Sequence, residues 1–255
     1  MGAMLRVLRA DAYRLLHSRL WWILVAGLAL YAFEGSNYFA SGWYSEGVAT
    51  FAEAARRHEV LELAMALLPI WFAWFFGSDL TNRTMRNVLV DAKGRRSYVL
   101  AAAVLVFGAI VAVMVALSVI LALNLFRLGF TFSSEGAATF AQRLGALAVF
   151  ATAYALVAMA LTVIASKNAA TWGIAGAALL TSTVLFSFAR VAAFYLPAPL
   201  DRIADEMLTT YSLSGMASTL EGTGVVQPWW FVQAALIALL GVLVCSLILR
   251  RKELR

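Results

Sequence analysis

The sequence predicts an all-α membrane protein with six transmembrane helices and both termini cytoplasmic, and three observations lead there. Of 255 residues, 63% are apolar and only 13% charged, far from the roughly half and quarter typical of a globular chain in water. The apolar residues gather in runs of about 20, the length a helix needs to cross a hydrocarbon layer ~30 Å thick. Lys and Arg, finally, concentrate in alternate connections between those runs.

In chain order, the first element is an N-terminal stretch in which Leu5, Leu8, Ala12, Leu15 and Leu16 recur at helical spacing, with Arg6, Arg9, Asp11 and Arg14 largely elsewhere. This pattern suits an amphipathic helix lying in the headgroups, its arginines reaching phosphates; the alternative is a frayed basic tail. The first span runs from Arg19 to Ala40, opened by Trp21 and Trp22. A basic stretch before the apolar run Leu20 to Phe33 resembles a signal peptide, but five further spans follow and no small-x-small site lies directly after it, so it reads as a signal anchor. Glu34 and Asn37 lie three apart near its outer end and share a helical face. They line a water-filled vestibule if the helix continues, and simply face outside water if it ends near Phe33.

The second span, Val60 to Ser78, contains Pro69 and then a crowd of aromatics, Trp71, Phe72, Trp74, Phe75 and Phe76. Pro69 removes a helical hydrogen bond. The rings either pack the bundle and face lipid or offer an apolar, cation-binding wall to a lipophilic cargo, in which case Trp71, Trp74 and Phe75 belong to the path. The loop Asp79 to Ser97 follows, with Leu80, Met85, Val88 and Leu89 apolar among polar neighbours, the pattern of a short helix that docks either on a partner or on its own bundle.

The third span is Tyr98 to Phe126, with Asn124 near its outer end, and the fourth is Leu144 to Ala165. The fifth, Ala169 to Ala189, contains the small-xxx-small pair Gly173 and Ala177, which permits close helix contact. The outer connection 190–228 is far longer than a plain loop. Within it Leu200, Ile203, Ala204, Met207, Leu208 and Tyr211 recur at three and four residue steps after Pro197 and Pro199, predicting a helix on the outer leaflet and then a Gly/Ser/Thr-rich turn from Ser212 to Gly224. Trp229 to Leu249 is the last span. The whole chain, 1–255, is thus one transmembrane domain.

With the N-terminus inside, fourteen of the twenty basic residues but only four of the fourteen acids fall on the inner side, so that side nets +10 and the outer side −4. The net charge of +6 is therefore dispersed at span ends, which argues against nucleic acid as a partner. The single cysteine, Cys245, and two distant histidines, His17 and His58, give no disulfide framework and no metal-ligand cluster. The spans carry no His, no HExxH and no Gly-x-Ser-x-Gly, and the chain has no Gly-x-x-x-x-Gly-Lys-Ser/Thr phosphate loop. Neither a catalytic site nor a nucleotide site is predicted here, and a pump of this kind needs a separate ATPase.

The layout resembles the ABC-2 type permeases, the membrane subunits of bacterial ABC exporters linked to antibiotic-peptide immunity and drug efflux. The stretch Leu5 to Trp22 is similar to the family's interfacial helix, and Asp79, Asn82, Arg83, Thr84, Arg86, Val88, Leu89, Gly94 and Arg95 are similar to its acid, Asn-Gly-Thr, basic, apolar-pair and Ser/Gly-Arg pattern. Arg83 stands where Gly is common and Ala102 where a Lys often follows. The resemblance implies a coupling helix, formed around Asp79, Leu80, Arg83, Thr84, Met85, Arg86, Val88, Leu89 and Arg95 and seated on separate ABC ATPase subunits that bind ATP and Mg. It also implies pairing with a second permease chain, the same or related, in the bacterial cytoplasmic membrane, with lipid around both. The other functions compatible with the sequence are an ion-coupled secondary transporter, which would want mid-membrane acids and symmetric halves, and a non-transporting membrane anchor or sensor.

Overall fold

A computed structural model describes residues 2–40, 50–51, 54–55, 58–81, 92–131, 133–165, 168–223 and 226–251. Among these the chain is helical apart from short turns and one isolated bridge between Thr50 and Thr131. Four helices are long and apolar enough to cross a membrane one by one, and six spans result if each of two bent helix pairs is counted as one.

Helix α1 (Gly2–His17) meets α2 (Arg19–Ala40) at a 63° bend. Ser18 makes the corner: its Oγ accepts from the Trp21 backbone N–H at 3.4 Å, supplying the cap that a new helix start requires. The Trp22 indole N–H reaches back to the Leu16 carbonyl at 2.7 Å and fastens the two helices together. Helix α3 (Val60–Thr81) lies in the interior, with Leu61, Leu68, Phe72 and Phe76 almost wholly buried. Helix α4 (Ala92–Arg127) has 36 residues, about 54 Å at 1.5 Å per residue, so it outreaches a hydrocarbon layer. It buries Val106, Ile110, Leu117 and Leu121 on one face and exposes Val104, Phe107, Val115 and Val119 on the other. Gly129, at φ 89°, turns the chain after α4 in the left-handed region where a side chain is disfavoured.

Helix α5 (Ser134–Ala165) is the centre of the bundle, packed against α3, α4, α6 and α10. Its alanines, among them Ala146, Ala151, Ala155 and Ala158, are buried, and small side chains let neighbouring backbones approach. The fifth predicted span is not continuous. Helix α6 (Ala169–Thr181) ends, Ser182 adopts an extended conformation, and α7 (Thr183–Phe194) leaves at 56° with the Ser182 Oγ capping the Leu185 N–H at 3.1 Å. After α8 (Leu200–Glu206) and a π-turn (Met207–Tyr211), the expected Gly/Ser/Thr-rich turn is instead helix α9 (Leu213–Thr223). Leu213, Met216, Ala217 and Leu220 recur at helical spacing and all four are buried, which outweighs the poor intrinsic propensity of the residues between them. Helix α8 behaves oppositely: its apolar positions Leu200 and Ile203 are about half exposed. Helix α10 (Pro228–Arg251), begun by a proline suited to a first helical turn, exposes a stripe of Val232, Leu236, Leu240, Leu243 and Leu247. Apolar side chains of this number on the outward faces of α2, α4 and α10 suit hydrocarbon rather than water as their surroundings.

Candidate functional site at the basic end of the bundle

Where α3 finishes and α4 begins, the bundle collects Arg14, Asp79, Arg95 and the last turn of α10. This is the basic end. Asp79 is buried in the final turn of α3, and the Arg14 guanidinium of α1 grips its carboxylate with both arms, Nη1 to Oδ2 at 2.7 Å and Nη2 to Oδ1. A bidentate guanidinium–carboxylate pair fixes orientation as well as distance. The same Nη1 also donates to Asp11 Oδ1 at 3.2 Å, and the guanidinium lies 4.8 Å from the centre of the Phe75 ring. One cation is therefore shared by two buried carboxylates and an aromatic face.

Asp11 is almost fully buried and its Oδ2 has no hydrogen-bond partner among the described residues. Burial pushes its carboxyl up to about 6, a rise that the Arg14 charge only partly offsets and the nearby Asp79 reinforces. The sequence pattern had set Asp11 apart from the apolar face of α1. The structure corrects this: Asp11 and Leu15 form the buried line of that helix, while Leu5 and Leu16 are exposed. The signal was present, since Asp11 stands three after Leu8 and four before Leu15, on one helical face.

Arg95, in the first turns of α4, reaches across to the carbonyls that α10 leaves open at its C-terminal end, Leu249 at 2.5 Å and Arg250 at 3.2 Å. A cation over terminal carbonyls satisfies acceptors that have no helical partner. Of the residues expected to form a docking element, Arg83, Thr84, Met85, Arg86, Val88 and Leu89 lie outside the described residues. Leu80 is half-buried against the bundle's own core.

The aromatic residues of α3 pack inward. Trp71 stacks on Phe75 at 5.1 Å between centroids and meets Trp21 of α2 at 4.8 Å, with Trp74 half-buried beside them. The cation this cluster meets is the protein's own Arg14. At the opposite, far end, Glu34 and Asn37 do not act together. Glu34 is exposed, whereas Asn37 accepts from Asn124 at 3.3 Å and Arg127 at 2.8 Å, joining α2 to the end of α4. Asn124 also donates to the Phe33 carbonyl at 2.9 Å.

Also at the far end, Arg143 of α5 is buried, paired with Glu62 of α3 and donating to the Ala55 carbonyl at 3.1 Å. This pair was not singled out from the sequence, because 81 residues separate its members. His58, just before α3, accepts the Val60 N–H on Nδ1 at 3.2 Å, and burial lowers its basicity to about 4. Among the described residues no group of three or more His, Cys, Asp or Glu is placed to hold a metal ion. No protein-family model matches the chain, and no curated protein matches its sequence.

Proposed function

We propose that the chain is the permease subunit of an ATP-binding cassette exporter, with six spans, both termini in the cytoplasm of a bacterium, and the basic end seated on separate ATPase subunits that bind ATP and Mg. The cargo is a lipophilic or amphipathic molecule, and a second permease chain completes the path. The observation that carries this reading is the fastening of α1 to α3 by Arg14 and Asp79 shortly before residues 82–91 in the chain.

Arg95, four residues after them in the chain, ties the start of α4 to the end of α10. A force applied to 82–91 is thereby delivered to α1, α3, α4 and α10 together. A rigid coupling of this kind lets ATP-driven closure of a motor bias a bundle between two openings, whereas a loosely tethered loop would absorb the motion locally. The resemblance of the loop sequence to an ABC-2 coupling helix supports the same reading, as do the basic residues flanking it.

The experiment is affinity purification of the tagged chain in mild detergent. An ATP-hydrolysing subunit is expected to copurify and to be lost from Met85→Ala/Leu89→Ala. These two are preferred to Leu80, whose contact with the core makes its truncation a stability change as well. An intact and active complex in the double variant would overturn the docking role. Uptake into vesicles driven by an ion gradient without ATP would instead establish the secondary-transporter reading, and partner binding without cargo flux the anchor reading.

A further inference from the structure

At the far end, α2, α3, α5, α6 and α9 surround a cavity of about 460 Å³. Its polar wall is made by Glu59, just before α3, and Glu62, in the first turn of α3, with Tyr31 also lining it. Tyr31 is held by an edge contact with His58, 5.6 Å between centroids. Leu63, Met65 and Ala217 supply an apolar wall.

Three hydroxyls that line the cavity, those of Ser214, Tyr154 and Thr181, are committed as donors. Because α6 stops at Thr181, the Leu180 carbonyl is open, and Ser214 of α9 donates to it at 3.0 Å. Ser214 having spent its proton there, the Tyr154 hydroxyl donates to the Ser214 oxygen at 2.8 Å. The Thr181 hydroxyl donates to the Ala177 carbonyl at 2.9 Å. What these groups can offer a guest is lone pairs. With two carboxylates and the Tyr31 side chain added, and no basic side chain among the described lining residues, the cavity is rich in acceptors beside an apolar wall.

We propose that this cavity binds a lipophilic organic cation, its positive charge drawn to Glu59, Glu62 and Tyr31 and its apolar surface against Met65, Leu63 and Ala217. As the cargo of the exporter this cation rests on the function proposed above; as a bound ligand it rests on the cavity alone. Glu62 is balanced by Arg143 within the protein, so Glu59, which is exposed, carries the charge that selects the guest. An anion of the same shape would meet two carboxylates and, among the described lining residues, no basic side chain, and is repelled.

The test uses the purified full chain in nanodiscs of zwitterionic lipid without any ATPase, with empty nanodiscs subtracted. Tetraphenylphosphonium is the probe and tetraphenylborate its control of like shape and opposite charge. Saturable binding of the phosphonium and none of the borate is expected. Glu59→Gln should weaken phosphonium binding about tenfold, the loss of one well-placed charge contact, and Ala66→Leu, which fills the lined space, should abolish it. Equal binding of both ions, no saturable phosphonium binding, or binding indifferent to Glu59→Gln would overturn the site. Because no motor subunit enters the assay, that failure leaves the exporter reading standing, and loss of the exporter reading leaves a measured binding site standing.

Discussion

Two buried titratable residues at opposite ends of the bundle act against each other with pH. Asp11 has a carboxyl raised by burial from a usual 3.8 to about 6, so its contribution to stability is complete below the lower value and is lost as pH rises through the upper one. His58 is lowered by burial from 6.5 to about 4, so its contribution is present above 6.5 and is lost as pH falls through 4. Across the window between about 4 and 6 the two slopes oppose, and their sum is nearly flat. Single substitutions separate them. Asp11→Asn should leave a chain whose melting temperature falls between pH 7 and pH 5, and His58→Asn, which keeps an acceptor for the Val60 N–H, should leave one whose melting temperature rises over the same interval. Thermal unfolding in detergent at the two pH values checks both; shifts of the same sign in the two variants would show that these residues are not buried as described.

At the level of elements, contact between α3, α5 and α6 depends on missing side chains. A Cβ on Gly77 would lie 2.5 Å from the Cα and 2.7 Å from the amide nitrogen of Ala170, both backbone atoms that cannot turn aside. A Cβ on Gly173 would meet the methyl of Thr162, which a rotation about χ1 can move, although the Thr162 hydroxyl then gives up its bond to Met159 at 2.6 Å. Gly77→Ala should therefore lower stability by about 1–3 kcal/mol, the usual range for overpacking, and by more than Gly173→Ala. Denaturation of the two variants side by side measures this, and a larger loss from Gly173→Ala would contradict the packing. Helix extents were legible where composition changes abruptly: Arg19, Val60 and Pro228 open helices where the apolar runs begin. The break at Ser182 was not, because the hydroxyl residues Thr181, Ser182 and Thr183 can bond within a continuous helix as well as cap a new one, and only the Ser182 oxygen seen capping Leu185 decides between the two. Helix α9 was hidden for the opposite reason, its Gly, Ser and Thr residues reading as a turn while four apolar positions among them found a core.

For the molecule as a whole, the sequence marks a polar rim at each end of an apolar body, and the structure gives the two rims different construction. At the basic end, Arg14 and Arg95 bind helix ends together, and the side chains of Arg6, Arg9 and Arg96 are exposed. At the far end, Arg143 is interior and acids line a cavity. The stretch Asp79 to Arg95 reads from the sequence as an element that docks either on a partner or on its own bundle, whereas the Arg14 clasp was not readable, since 65 residues lie between its members and nothing local in α1 names Asp79. The cavity was equally unreadable, because it joins side chains of five helices that lie far apart in the chain, two of them unrecognised as separate elements.

On the exporter reading, the basic end faces the cytoplasm, where a motor and its nucleotide are available, and the cavity opens toward the other side. The most direct measurement is two-sided thiol labelling of single cysteines placed at Arg95, Arg251, Glu59 and Trp229 in a Cys245→Ala background, in intact cells and in inverted vesicles with a membrane-impermeant reagent. Positions 95 and 251 should react only in inverted vesicles, and 59 and 229 only in intact cells. Reaction of 95 and 251 from opposite sides, or of 59 from the same side as 95, would contradict the account.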